Sequence, residues 1–266
     1  MSNDRYQRAR PWLIASPLLL ILVLGATAAS GLSKSFTIGG SARGSGSTSS
    51  RELSSPVALS GVNLYFRGDD HEIKRIGLWQ APSRLHYSFS DRDGGDKFVM
   101  GAHFKRVAAN VLHEASRNDC RITCSLPIHA EKDKVFVLAG FDLANRRGED
   151  RNVREVGIVP ELHAGRIKVT FSDDSGFDFT ARVQYLLLPK DAVRALETYT
   201  TTDKQREHTP RFKAQRVIQG FHVRFTNGDH HLGDFTIWGS LKVQASMRDK
   251  NTDDPMRGEV RLVVLR

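Results

Sequence analysis

"GFHVRFTNGDHHLGDFTIWGS" (residues 220–240) alternates apolar and polar residues on both sides of a polar centre. Phe221, Val223 and Phe225 share one side of an extended chain. That period of two fits a half-buried strand and excludes an amphipathic helix. Near the other end, "GVNLYFRGDDHEIKRIGLWQ" (residues 61–80) has the same pattern. Phe66 matches Phe225, Asp70 matches Asp229, His71 matches His230, Ile73 matches Leu232 and Trp79 matches Trp238, without a gap. One deletion then aligns "LHYSFSDRDGGD" (85–96) with "VQASMRDKNTDD" (243–254), and each copy closes on a further alternating run, "VMGAHFKRV" or "RGEVRLVVL". Each copy therefore reads as four short strands, over residues 57–107 and 216–266. About fifty residues is small for an independent sheet, so the copies either pack together or lean on the segment between them.

That segment, residues 108–189, is also β-patterned, through "KVFVLAGFDL", "RIKVTF" and "DFTARVQYLLL". Ala192, Val193 and Leu196 follow at helical spacing, so residues 190–215 are expected to form a helical connector.

The 266 residues with 39% hydrophobic content are enough for an ordinary core. Residues 1–29 stand outside it: Arg5, Arg8 and Arg10 precede an apolar run from Trp12 to Leu24, then small residues ending in Ala26-Thr27-Ala28. This reads as a signal peptide, or as a membrane anchor retained by its length, and places the rest in the periplasm, outside the cell, or tethered to the membrane. Residues 30–56, rich in Gly and Ser, are expected to be a flexible linker. The formal charge of +9 loses three Arg and one Asp if cleavage follows Ala28, leaving +7. In an exported protein, that basicity points to anionic envelope polymers or lipid head groups rather than nucleic acid, and a scattered solvated surface charge reads equally well. Cys120 and Cys124 would stand about 13 Å apart in a continuous strand, so a disulfide requires a turn between them.

The stretch from "KVFV" through "GFD" to "ARVQYLLL" resembles the H-type lectin domain, the family of snail agglutinins and discoidin C-terminal domains. The resemblance covers roughly residues 130–189. It implies an antiparallel β-sandwich, trimeric or hexameric, that binds N-acetylgalactosamine-type sugars at edges between protomers. It places Arg151 at the family's sugar-contacting arginine and Phe179 as the nearest aromatic wall. The family's Trp-His pair falls on Asp173 and Asp174. The expected fold class is thus all-β: a central H-type-lectin-like sandwich between two related four-stranded repeats that resemble modules accompanying lectin-like domains in bacterial exported proteins. The expected partners are a glycan or anionic envelope polymer, the membrane through the N-terminal segment, and further copies of the chain.

Two recurrent loops carry other chemistry. Asp70-His71 and Asp229-His230 sit where Gly and Asp suit a hairpin turn, and they could also contribute to a binding site or hold a divalent metal. Asp91, Asp93 and Asp96 in one copy, with Asp249, Asn251, Asp253 and Asp254 in the other, space oxygens as calcium selects them, and equally make good turns. Trp79 and Trp238 follow a strand in each copy, as buried core or as a sugar-stacking face. Nothing in the spacing assembles a nucleophile with a His and an orienting carboxylate, or a glycine-rich phosphate loop. A non-catalytic binding protein is the leading expectation. A structural or assembly protein, whose lectin-like module serves oligomerisation only, and a metal-dependent hydrolase stand behind it.

Overall fold

The computed structural model describes residues 41–43, 46–52, 55–67, 73–81, 84–91, 97–129, 131–146, 152–173, 176–226, 232–249 and 255–266. They belong to one compact unit, Gly31–Arg266. Residues 1–29, expected from the sequence to be a signal peptide or membrane anchor, lie outside the described residues, and among the described residues no helix is long and apolar enough to cross a membrane.

The chain is all-β and antiparallel, as its alternation predicts, but it divides into three six-stranded modules. The first holds β1 (Ser41–Arg43), β2 (Gly46–Glu52), β3 (Val57–Arg67), β4 (Ile73–Ala81), β5 (Arg84–Asp91) and β6 (Lys97–Arg106). The second holds β7 (His113–Arg121), β8 (Thr123–Pro127), β9 (Lys134–Asn145), β10 (Glu155–Glu161), β11 (Arg166–Ser172) and β12 (Asp178–Pro189). The third holds β13 (Val193–Thr202), β14 (Glu207–His208), β15 (Arg216–Phe225), β16 (Leu232–Gly239), β17 (Val243–Asp249) and β18 (Met256–Leu265).

Each module gives three strands to one sheet and three to another. Sheet 1 runs β1-β6-β3-β16-β17-β14, sheet 2 runs β2-β5-β4-β9-β12-β7, and sheet 3 runs β13-β18-β15-β10-β11-β8. Every sheet is therefore half one module and half another, and the sharing closes a cycle of three. One expectation changes here. The central segment is a third copy of the flanking unit: "LSGVNLYF" (59–66), "LAGFDLAN" (138–145) and "IQGFHVRF" (218–225) fall on equivalent parts of β3, β9 and β15. The modules lean on one another, as units of about fifty residues should: β3–β16, β4–β9 and β10–β15 pair across module boundaries.

Residues 190–215 are not a helix. A single 3-10 turn, Lys190–Ala192, leads into β13, whose inward Val193, Ala195, Glu197 and Tyr199 alternate with exposed neighbours. A run of Thr and Tyr suits the pleat, and pairing with β18 outweighs a helical spacing of three residues. Likewise β1 and β2 occupy part of the expected linker. They pair with β6 and β5 through backbone groups that Gly and Ser supply as well as any residue.

The first halves of β3, β9 and β15 lose their alternation because both faces are buried. Val57, Leu59, Phe136, Leu138 and Ile218 face a main core that draws on all three modules. Ala58, Val135, Val137, Ala139 and Val217 face a second cluster with Leu186, Leu188 and Val263. The three strands contact one another pairwise, so this second cluster lies where the modules meet. Each strand then bulges, at Ser60, Ala139 and Gln219, just before Gly61, Gly140 and Gly220. Beyond the bulge the ordinary alternation returns.

Buried polar groups at the junction of the first two modules are satisfied by one another. The Gln80 side chain donates to the carbonyls of Val57 (2.6 Å) and Ala139 (2.8 Å) and accepts from Val57 N–H (2.9 Å). The Gln184 side chain exchanges hydrogen bonds with the Gln80 backbone at 2.7 and 2.8 Å.

Candidate functional site

The seams between modules bring distant parts of the chain together on the faces of the sheets. At each seam the glycine after the bulge lies under a residue of the partner strand. Trp238 covers Gly61, Trp79 borders Gly140, and Val159 borders Gly220. The recurrent tryptophans are thus partly exposed seam residues rather than core. Two positions beyond each glycine comes a polar side chain on the same face: Asn63, Asp142 or His222.

Their partners differ. At the β3–β16 seam, Asn63 Nδ2 donates to Thr236 Oγ1 (2.6 Å), which donates to Asp234 (2.7 Å). Burial pushes the Asp234 carboxyl up and, beside Trp238, the His103 imidazole down. The His103 ring stands edge-on to Trp238 at 4.3 Å. At the β10–β15 seam, His222 Nε2 and Glu155 Oε1 form a short contact over Gly157, and hydrogen bonding from His222 holds the Glu155 carboxyl below its usual range.

The β4–β9 seam concentrates positive charge around an aromatic ring. Arg75 donates two hydrogen bonds to Asp142, Nε to Oδ1 and Nη2 to Oδ2, both at 2.7 Å. The Arg182 Nη2, on β12, lies 3.6 Å from the same carboxylate. Its guanidinium lies 4.9 Å from the Trp79 ring centroid, and that of Arg75 lies 5.4 Å away. The His86 ring, on β5, stacks parallel to Trp79 at 5.4 Å. Gly77 makes the arrangement fit, because a Cβ there would stand 2.5 Å from Asp142 Oδ1. The hydrogen bond to Asp142 raises the Arg75 pKa, and burial followed by the charges of Arg84 and Arg182 lowers that of His86.

The residues singled out in the sequence fare differently. Phe179 is not a sugar-facing wall: it is fully buried and packs edge-on against Phe171 and Phe177, because alternation along β12 turns it into the core. Asp173 Oδ1 accepts a hydrogen bond from Gly176 N–H (2.6 Å). Arg151, Asp174, Asp70, His71, Asp229, His230, Asp93, Asp96, Asn251, Asp253 and Asp254 lie outside the described residues. Asp91 and Asp249 end β5 and β17, and their side chains are likewise outside the description. The register does bring strand ends bordering these segments together: Arg67 pairs with Lys97, and Leu232 with Asp249. Among the described residues, no group of three or more His, Cys, Asp or Glu side chains gathers as a metal site would.

The Arg75–Asp142–Arg182 group escaped sequence reasoning because its members lie in two modules. The available signal was the repeat itself, since "LAGFDL" aligned on "LSGVNL" and "IQGFHV" puts Asp142 at the position of Asn63 and His222. No protein-family model matches the chain, and a search of curated proteins finds no match.

Proposed function

We propose that the protein is an exported, non-catalytic carbohydrate-binding protein directed at glycans or anionic envelope polymers, membrane-tethered if its N-terminal segment is retained. One observation carries this reading: three antiparallel six-stranded modules share sheets in a closed cycle. The H-type lectin resemblance implies sandwiches grouped in threes, with sugar bound between them, and this chain groups three in one polypeptide. Its basic charge suits an anionic polymer. Calcium at the recurrent acidic loops and a sugar contact from Arg151 belong to the same proposal. The test is a glycan array probed with the purified full chain. Binding to a defined subset of glycans, weakened in Arg151→Ala, is the expected outcome, and no binding to any glycan overturns the reading.

An assembly role is a second reading, favoured by β13. This ten-residue strand lies at the edge of sheet 3, and Leu196 on it is 59% exposed. Edge strands of that length are templates for pairing with another chain.

A further inference from the structure

The three modules share one register, and at one position in it they part. Opposite Asn63, β6 carries Gly101; the matching strands carry Arg182 opposite Asp142 and Glu259 opposite His222. Two residues beyond Asn63 stands Tyr65, where the other modules have Ala144 and Arg224. Sheet 1 thus lacks a long side chain where the other two have one, and beside that place it has an aromatic ring of its own. The backbone does not ask for the glycine: the described glycines with positive φ are Gly165 and Gly176. Nor does close packing, since a Cβ on Gly101 would meet nothing within 4 Å. A glycine inside a strand gives up packing, and often marks the close approach of a ligand.

The gap lies on the outward face, because Val62 and Leu64 turn to the core between Gly61, Asn63 and Tyr65. Tyr65, 48% exposed, and Val99, 37% exposed, border it at one end. At the other end Trp238 covers Gly61, with the His103 ring edge-on to it. Four residues of strand, about 13 Å, separate the two ends. Asn63 forms the side. One amide N–H is held by Thr236 Oγ1, which fixes the plane of a group that also carries a second N–H and a carbonyl oxygen. Burial lowers the His103 pKa, so Val99, Tyr65, Asn63 and His103 bring no charge to the gap at neutral pH. The nearest carboxylate, Asp234 beside Tyr65, faces Arg248 across β16 and β17.

We propose that the gap over Gly101 on sheet 1 holds one uncharged sugar ring of a glycan, stacked on Tyr65 and hydrogen-bonded to the Asn63 amide. The inference rests on the carbohydrate-binding reading and gives it a place and a ligand class. A sugar ring offers C–H faces to an aromatic and hydroxyls to an oriented amide, whereas a uronate or phosphate would find no cation in this lining.

A glycan array of neutral and acidic oligosaccharides, probed with the full chain and its variants, tests this. Binding to neutral members, unchanged by added salt, is expected. Gly101→Arg restores the side chain that sheet 2 has at this place and should weaken binding at least about tenfold while Tm is kept. Tyr65→Ala, at an exposed position, should weaken it about tenfold and serves if Gly101→Arg fails to fold. Leu196→Ala, on exposed β13 of sheet 3, should leave it unchanged. Wild-type binding by either folded variant overturns the site while the carbohydrate reading stands, as does an equal loss in Leu196→Ala. Binding to acidic glycans alone, falling with salt, overturns the uncharged ligand. Binding to no glycan removes both readings.

Discussion

A Cβ on Gly140 would stand 2.6 Å from the Leu78 carbonyl oxygen and 2.9 Å from the Trp79 Cα. Both are backbone atoms of a paired strand, which cannot move without disturbing the β4–β9 seam. Gly140→Ala should therefore destabilise the protein by about 1–3 kcal/mol, the usual range for overpacking, read as a lower denaturant midpoint. Gly101 on β6 is the matched control, since a Cβ there meets nothing within 4 Å. Gly101→Ala should be neutral or slightly stabilising, because a strand glycine costs backbone entropy. Equal midpoints for the two variants would show that the seam yields. At this scale the sequence is a partial guide. It displays a glycine in the same place three times, but the reason for each belongs to a strand far away in the chain: β16 for Gly61, β4 for Gly140 and β10 for Gly220.

The corner between β7 and β8 shows how an element is decided. Cys120 is the second-last residue of β7 and Cys124 the second residue of β8, and they form a disulfide with their Cα atoms 5.2 Å apart. The turn this requires is present, with Ile122 in the left-handed region at φ 55°. The corner passes the chain from sheet 2 to sheet 3, so the bond staples the point where the module changes sheets. Closing so short a loop removes denatured-state entropy worth about 2 kcal/mol. Cys120→Ser with Cys124→Ser should lower Tm by about 4–8 °C for a chain of this size, and an unchanged Tm would show that the pairing adds nothing to the folded state. The strands with alternating burial, such as β15 beyond its bulge and β16, were legible from their period. β13 was not, since Ala192, Val193 and Leu196 satisfy a helical spacing by coincidence and the pairing with β18 is a long-range fact.

The closed sharing of sheets makes the molecule indivisible. Removing residues 216–266 deletes β15 to β18, which strips β3 of one neighbour in sheet 1 and β10 of one in sheet 3. The remaining chain would expose long unpaired edges and half of a core shared by all three modules, and should be unfolded or aggregated. Amide spectra of the truncated chain check this, and sharp dispersed signals from the first module would show it to be autonomous. The whole chain should unfold in one transition. The sequence by itself determined the all-β class, most strand positions, the turn demanded by the two cysteines and the kinship of the first and last modules, because these follow from local period and turn chemistry. The residues around Gly140 also carry the kinship of the middle module, but only the tertiary structure decided that Phe179 faces inward and that Arg75, Asp142 and Arg182 meet. Each of these depends on which strands pair, and that choice is made by burying shared apolar faces between segments far apart in the chain, where a local pattern carries no information.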